Sequence, residues 1–287
     1  MFWWSRMLEI FSYSFIIRAI IVGIIVSLCS SLLGVSLVLK KYSMIGDGLS
    51  HVSFGALAVA TALNIAPLKF AIPIVIIVAF FLLKISDNAK IKGDSSIALI
   101  SAGSLAIGII AVSISTGVNT DIYSYLFGSI LAISRSDMIL SVILGVFVLV
   151  VYILFYNKIF AITFDESFAK ATGVKVNTYN MIIAFLTAIT IVLGMKLMGS
   201  LLITSLIIFP SLTSMKLFNT FKSVVISSSI LSVINLFFGI IVSYYLDVPT
   251  GASIVIINVF MFILFTFFNF LKKMSKKCWQ ASKNIIY

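Results

Sequence analysis

The chain is poor in the residues that carry most aqueous chemistry. Its 287 residues include one histidine, two cysteines, nine acids and four prolines, and only 10% are charged. A soluble domain carries about 25% charged residues, and this chain is 61% hydrophobic, so it reads as a polytopic membrane protein. Cys29 and Cys278 fall in the first apolar span and in a lysine-rich tail, so no disulfide is expected and no metal-ligand spacing is present. The sequence has no G-x-x-x-x-G-K-[ST] phosphate loop and no H-E-x-x-H, which argues against an ATPase and an intramembrane metalloprotease. Ser50 and His51 are adjacent, and i, i+1 side chains on a helix do not face each other, which removes a serine dyad. The N-terminus lacks the small-residue cleavage site of a signal peptide. It reads as an interfacial segment over 1–13, with Trp3 and Trp4 at the headgroup level.

What is present is apolar sequence in span-sized blocks. A span takes about 20 apolar residues. Nine candidates run over roughly 14–39, 45–63, 67–84, 95–116, 138–156, 179–196, 199–216, 222–245 and 251–271. The seventh is short and holds Pro210; as a broken helix it would reduce the count to eight. The expected fold is an all-α transmembrane bundle, one domain over 1–287 with a basic tail at 272–287. With nine spans and the N-terminus outside, the inner loops hold Lys40, Lys41, Lys84, Lys90, Lys92, Lys158, Lys170, Lys175, Lys216, Lys222 and the tail lysines. The outer side receives Arg6, Arg18, Lys69, Arg135 and Lys196. That asymmetry predicts a multi-pass protein of the cell membrane with a cytoplasmic C-terminus. The net charge of +11 is thus a topology signal and an attraction to inner-leaflet lipid, with no nucleic-acid footprint.

The polar chemistry concentrates in Met44–Ala62. Asp47 and His51, the sole histidine, lie one above the other on a helix at i, i+4, with Gly55 one turn further leaving a gap beside them. Asp47 sits near the inner start of this span, where the helix dipole favours a carboxylate. Two readings stand: a helix-start acid with a histidine bonded to a neighbouring helix, or a pair of ligands for a cation. Ionisable groups at membrane depth cost about 2.5–3.5 kcal/mol each and mark functional sites. Two ligands are too few for a transition metal. A symmetric dimer facing across a two-fold axis would supply two carboxylates and two imidazoles, suited to Zn, Mn or Fe(II). Gly48 and Gly55 would let the paired helices, or their neighbours, approach closely.

A second feature lies in the loop after the fifth span. Thr163 is placed to cap a short helix bearing Asp165 and Glu166 in its first turn, with Lys170 near its end and Gly173 at its C-terminus. Phe164, Phe168 and Ala171 form one apolar stripe. Such a helix either lies in the lipid interface or docks a cytoplasmic partner. Another short helix is expected on the outer side around Asp121, Tyr123, Tyr125 and Phe127. Asp247 or Thr250 is placed to cap the last span.

The run G-D-G-L-S-H-V-S-F-G-A-L-A at 46–58 resembles the signature of bacterial ABC-type permeases that import zinc, manganese or iron. Further matches occur in family order: L-F-G-S-I-L at 126–131, F-D-E-S-F-A-K-A-T-G-V at 164–174, G-S-L-L-I-T-S-L-I-I-F-P at 199–210 and P-T-G-A at 249–252. Phe54 stands where that family usually has Pro, and Gly48 where Ala is common. The resemblance implies a homodimeric, type II ABC importer-like permease, not itself an enzyme, with no permanently bound cofactor. It implies cytoplasmic ATPase subunits and an extracytoplasmic metal-binding lipoprotein or periplasmic protein as partners. It places the metal pathway on Asp47 and His51, and coupling to the ATPase on Phe164, Asp165, Glu166, Phe168, Ala169 and Gly173. A proton-coupled secondary metal transporter is the alternative; such carriers usually show paired inverted repeats with broken helices, and no convincing repeat is found here.

Overall fold

A run of apolar residues in lipid must satisfy its own backbone, and the helix does so within one segment. The computed structural model describes residues 14–86, 93–115, 128 and 134–285, and among them every regular element is a helix. In order these are α1 (Ser14–Leu39), α2 (Ser43–Ala62), α3 (Pro67–Ser86), α4 (Gly93–Ile114), α5 (Arg135–Leu154), α6 (Tyr156–Phe164), α7 (Glu166–Ala171), α8 (Val176–Met198), α9 (Ser200–Leu217), α10 (Phe221–Leu246) and α11 (Thr250–Ile285). Eight of them are long and apolar enough to cross a membrane. The ninth long helix, α2, is not apolar enough, because Asp47, His51, its glycines and its serines dilute it. The doubtful span is therefore α2, while α9 runs unbroken through Pro210.

Contacts fix the directions. Glycine packing pairs Gly48 with Ile97 and Gly55 with Ser104, so α2 and α4 run parallel; Gly23 meets Met198 and Gly34 meets Ile207, so α1 and α9 run parallel. Ser31 with Ser229 and Ser27 with Ser232 set α10 against α1. Asp137 with Lys196 and Phe155 with Tyr179 set α5 against α8. The nine long helices thus alternate, and α11 ends on the same side as Lys40 and the α6–α7 elbow.

Burial does not follow apolarity. Lipid is as apolar as leucine, so an apolar helix can face it or pack inside, and α1, as apolar as α11, is 67% buried. Only 11% of the α11 window and 17% of the α4 window are buried, against 72% for α8. The least apolar long helix, α2, sits inside, with Leu49, Phe54, Leu57 and Ala58 fully covered. Phe54 lies over Gly108 of α4, where a methyl group would collide with its ring.

The turns corrected three expectations. Thr163 lies within α6 and donates to the Ile159 carbonyl at 2.6 Å. The cap of α7 is Asp165, whose carboxylate accepts from Phe168 N–H at 2.9 Å. The helix expected after Thr163 thus begins only at Glu166, and Phe164 belongs to the end of α6. Gly173 does end it as expected: its φ of +82 allows Gly173 N–H to reach the Lys170 carbonyl and Val174 N–H to reach that of Ala169. Asp247 takes a left-handed backbone and closes α10. The basic tail continues α11 as helix to Ile285. The outer helix around Asp121, the segment 1–13 and all of 126–131 except Gly128 lie outside the described residues.

Candidate metal site

Helix α2 leaves the Lys40 end after a three-residue turn, so Asp47 and His51 occupy its second and third turns. Their side chains point together: His51 Nε2 is 3.9 Å from Asp47 Oδ2, too long for a hydrogen bond. Two ligands about 2.1 Å from one tetrahedral ion stand roughly 3.4 Å apart, so the pair is set close to that spacing. Asp47 and His51 keep 42% and 29% of their side chains exposed, and His51 Nδ1 is covered with no hydrogen-bond partner. An imidazole so incompletely satisfied calls for an explanation. Both face an open cleft of about 390 Å³ whose far wall is Ser200, Thr204, Ser205 and Phe209 of α9, with Val255 of α11 beside them.

Thr204 was not legible as a site residue. Its hydroxyl is 3.3 Å from Asp47 Oδ1 and 3.1 Å from the Ser200 carbonyl, sharing one proton between them. It reaches Asp47 from α9, which follows α8 after a tight turn and forms the cleft wall opposite α2. The turn is a single residue, Gly199, at φ 84 and ψ 164, a conformation essentially confined to glycine.

The space expected beside Gly55 is filled. A methyl group there would lie 2.4 Å from the Ser104 carbonyl, and one on Gly48 would lie 2.6 Å from Ile97. Eight residues along a helix turn the side chain by about 80°, so Gly55 faces α4 while Asp47 and His51 face α9. The two glycines therefore serve a contact within one chain. Among the described residues no three of His, Cys, Asp and Glu come together, so one chain offers a cation two such ligands.

The residues expected to couple to a partner lie on the α6–α7 elbow. Phe164 and Phe168 are 61% and 66% exposed, while Ala169 is fully buried. Phe164 stacks with Phe160 and Phe221 at centroid distances of 5.1 and 5.9 Å, giving an aromatic ledge. Glu166 bonds to Lys40, and Asn180 Nδ2 donates to it at 3.2 Å. Partial burial pushes the Glu166 carboxyl up, but Lys40 and Asn180 outweigh it and hold the group below its ordinary value.

With this geometry in place, comparison with known proteins identifies the scaffold. The ABC 3 transport family matches residues 12–269. The chain belongs to this family. Within its wider company, the high-affinity zinc uptake system membrane protein ZnuB of Haemophilus influenzae is 31% identical over 255 residues, 89% of this chain and 98% of that one. The manganese transport system membrane protein MntC of Halalkalibacterium halodurans is 28% identical, covering 96% of this chain and 94% of its own. A solved structure, PsaBC from Streptococcus pneumoniae in complex with Fab, superposes with a TM-score of 0.81 at 28% identity, over 90% of this chain and 93% of that one. The all-helical fold is that of the ABC importer permeases.

Proposed function

We propose that this chain is the membrane-spanning permease subunit of an ABC importer that moves a divalent transition metal ion, Zn2+ or Mn2+ and by the same chemistry Fe2+, into the cytoplasm. The observation that carries this reading is the Asp47–His51 pair facing an open cleft inside a member of the ABC 3 transport family. Two copies meeting across a two-fold axis complete the site, each contributing one carboxylate and one imidazole. Thr204 holds Asp47 in place when no ion is present. The ion arrives from an extracytoplasmic metal-binding protein, exchanges water for these ligands, and leaves toward the cytoplasm when the two copies move apart. Loose, partly exposed ligands suit a site that must also release.

The chain performs no hydrolysis in this reading; ATP is split by separate cytoplasmic subunits seated on the elbow. Phe164 and Phe168 supply the apolar contact, Asp165 and Gly173 fix the two ends of α7, Glu166 ties it to the bundle, and Ala169 packs beneath it. The Lys40 end, and with it the C-terminus, faces the cytoplasm. The test is ATP-dependent uptake in vesicles holding the chain with its ATPase and binding protein, comparing Zn2+ and Mn2+. Uptake that needs all three components supports the reading. Uptake by the lone chain driven by a proton gradient would replace it with a secondary carrier.

A further inference from the structure

A fully satisfied charge lies away from the ion cleft. Lys40 comes directly after the last residue of α1, and its side chain is only 4% exposed. Its ammonium donates to the Ile162 carbonyl of α6 at 3.4 Å, to Asn180 Oδ1 of α8 at 2.7 Å and to the Glu166 carboxylate of α7. A lysine has three protons to give, and each finds an acceptor on a different helix. Asn180 Nδ2 closes the triangle onto Glu166 at 3.2 Å, and the Tyr42 ring lies 5.4 Å from the ammonium. Phe164 and Phe168 occupy the exposed side of the same elbow, with Ala169 buried beneath.

The short turn after Lys40 gives this clamp a reach. The connection to α2 is residues 40–42 alone. It is wound shut by Lys41 N–H on the Val38 carbonyl at 3.1 Å and Tyr42 N–H on that of Leu37 at 2.8 Å, with Lys41 held left-handed at φ 60. A left-handed lysine is uncommon and persists where its surroundings impose it. The turn therefore has no slack, and Asp47 comes four residues after α2 begins.

We infer that the Lys40–Glu166–Asn180 clamp is the link through which motion of the elbow reaches the metal ligands. When the elbow moves with its partner, Lys40 is drawn with it, the closed turn carries the pull to the start of α2, and Asp47 and His51 shift against Thr204. Lys40 and Asn180 are thus positioning residues: they touch neither ion nor nucleotide. The inference rests on the importer reading above.

The experiment measures metal ions moved per ATP hydrolysed, in vesicles holding the full complex, with Zn2+ and Mn2+ as the probes. In Lys40→Met the aromatic ledge remains, so the ATPase still seats and hydrolysis stays within about twofold of wild type, while ions moved per ATP fall roughly tenfold. An unchanged ratio in the assembled variant, or transport and hydrolysis falling in parallel, overturns the clamp. Should Lys40→Met not assemble, Asn180→Leu, which keeps the ammonium and removes one acceptor, decides by the same ratio with a smaller expected fall. The wild-type complex separates the two claims: no ATP-driven uptake there defeats the importer reading, whereas normal wild-type uptake with a normal ratio in both variants defeats only the clamp.

Discussion

Two polar clusters lie at either end of the short stretch from Lys40 to His51, and they are built on opposite plans. Around Lys40 each donor has an acceptor, the charge is covered, and three helices converge on it. Around His51 one ring nitrogen has no partner, the other stands 3.9 Å from a carboxylate, and the cleft is open. A buried charge satisfied on every side fixes geometry and adds little net stability. A polar pair left unsatisfied in an apolar bundle is tolerated when something else visits it. The contrast sets a closed, fully paired joint against an open, partly unpaired cleft.

The sharpest way to break this contrast is to remove the unsatisfied partner. His51→Ala should lower metal uptake by about a hundredfold or more, since ligand loss exceeds the 10–100-fold typical of outer-shell changes. The complex should still assemble, because the side chain makes no hydrogen bond that holds the fold; normal uptake would end its role as a ligand. The next largest effect is expected at the elbow. Phe168→Asp places a charge on the exposed aromatic ledge and should cut both ATPase seating and transport roughly tenfold, the scale of an interface anchor. Co-purification with the ATPase checks it, and an unchanged yield of complex would remove the docking role.

Thr204→Val sharpens the comparison from the ion side. It deletes the hydroxyl that holds Asp47 and keeps the shape, so metal binding should weaken about three- to tenfold, the worth of one hydrogen bond. Binding isotherms on the purified permease measure this directly, and an unaltered affinity would leave Thr204 as wall alone. The smallest effect is on pH. The Glu166 carboxyl is held below its ordinary value, so its contribution is complete above the unfolded-state value and is lost as pH falls through the lower folded one. Protection of the elbow against hydrogen exchange should therefore decline only in that acid window, and Glu166→Gln should flatten the decline. Loss near neutral pH would contradict it.

Much of the molecule was legible because lipid simplifies the problem. Span-length apolar blocks placed the helices, and the i, i+4 rule brought Asp47 and His51 onto one face. At the elbow Thr163 is a good cap by type, and only the extended backbone of Asp165 shows that the cap lies two residues later. The seventh span is doubtful in sequence because it is short and holds Pro210, yet α9 runs unbroken through that proline, whereas α2, diluted by Asp47, His51 and small residues, is the helix not apolar enough to cross. The glycines of α2 were visible, but which neighbour they admit was not, because Gly55 lies about 80° around the axis from Asp47 and only packing sets which helix stands there.

What the sequence alone determined is the chemistry available: a bundle of long apolar helices, one carboxylate–imidazole pair, and an aromatic elbow on the lysine-rich side. What only the tertiary structure decided is which distant residues complete those elements. Thr204 is 157 positions from Asp47 and Asn180 is 140 from Lys40. Both pairings depend on how helices distant in sequence pack side by side. Local pattern fixes a helix and its faces, but depth and rotation in the bundle are set by packing against neighbours that no periodicity encodes.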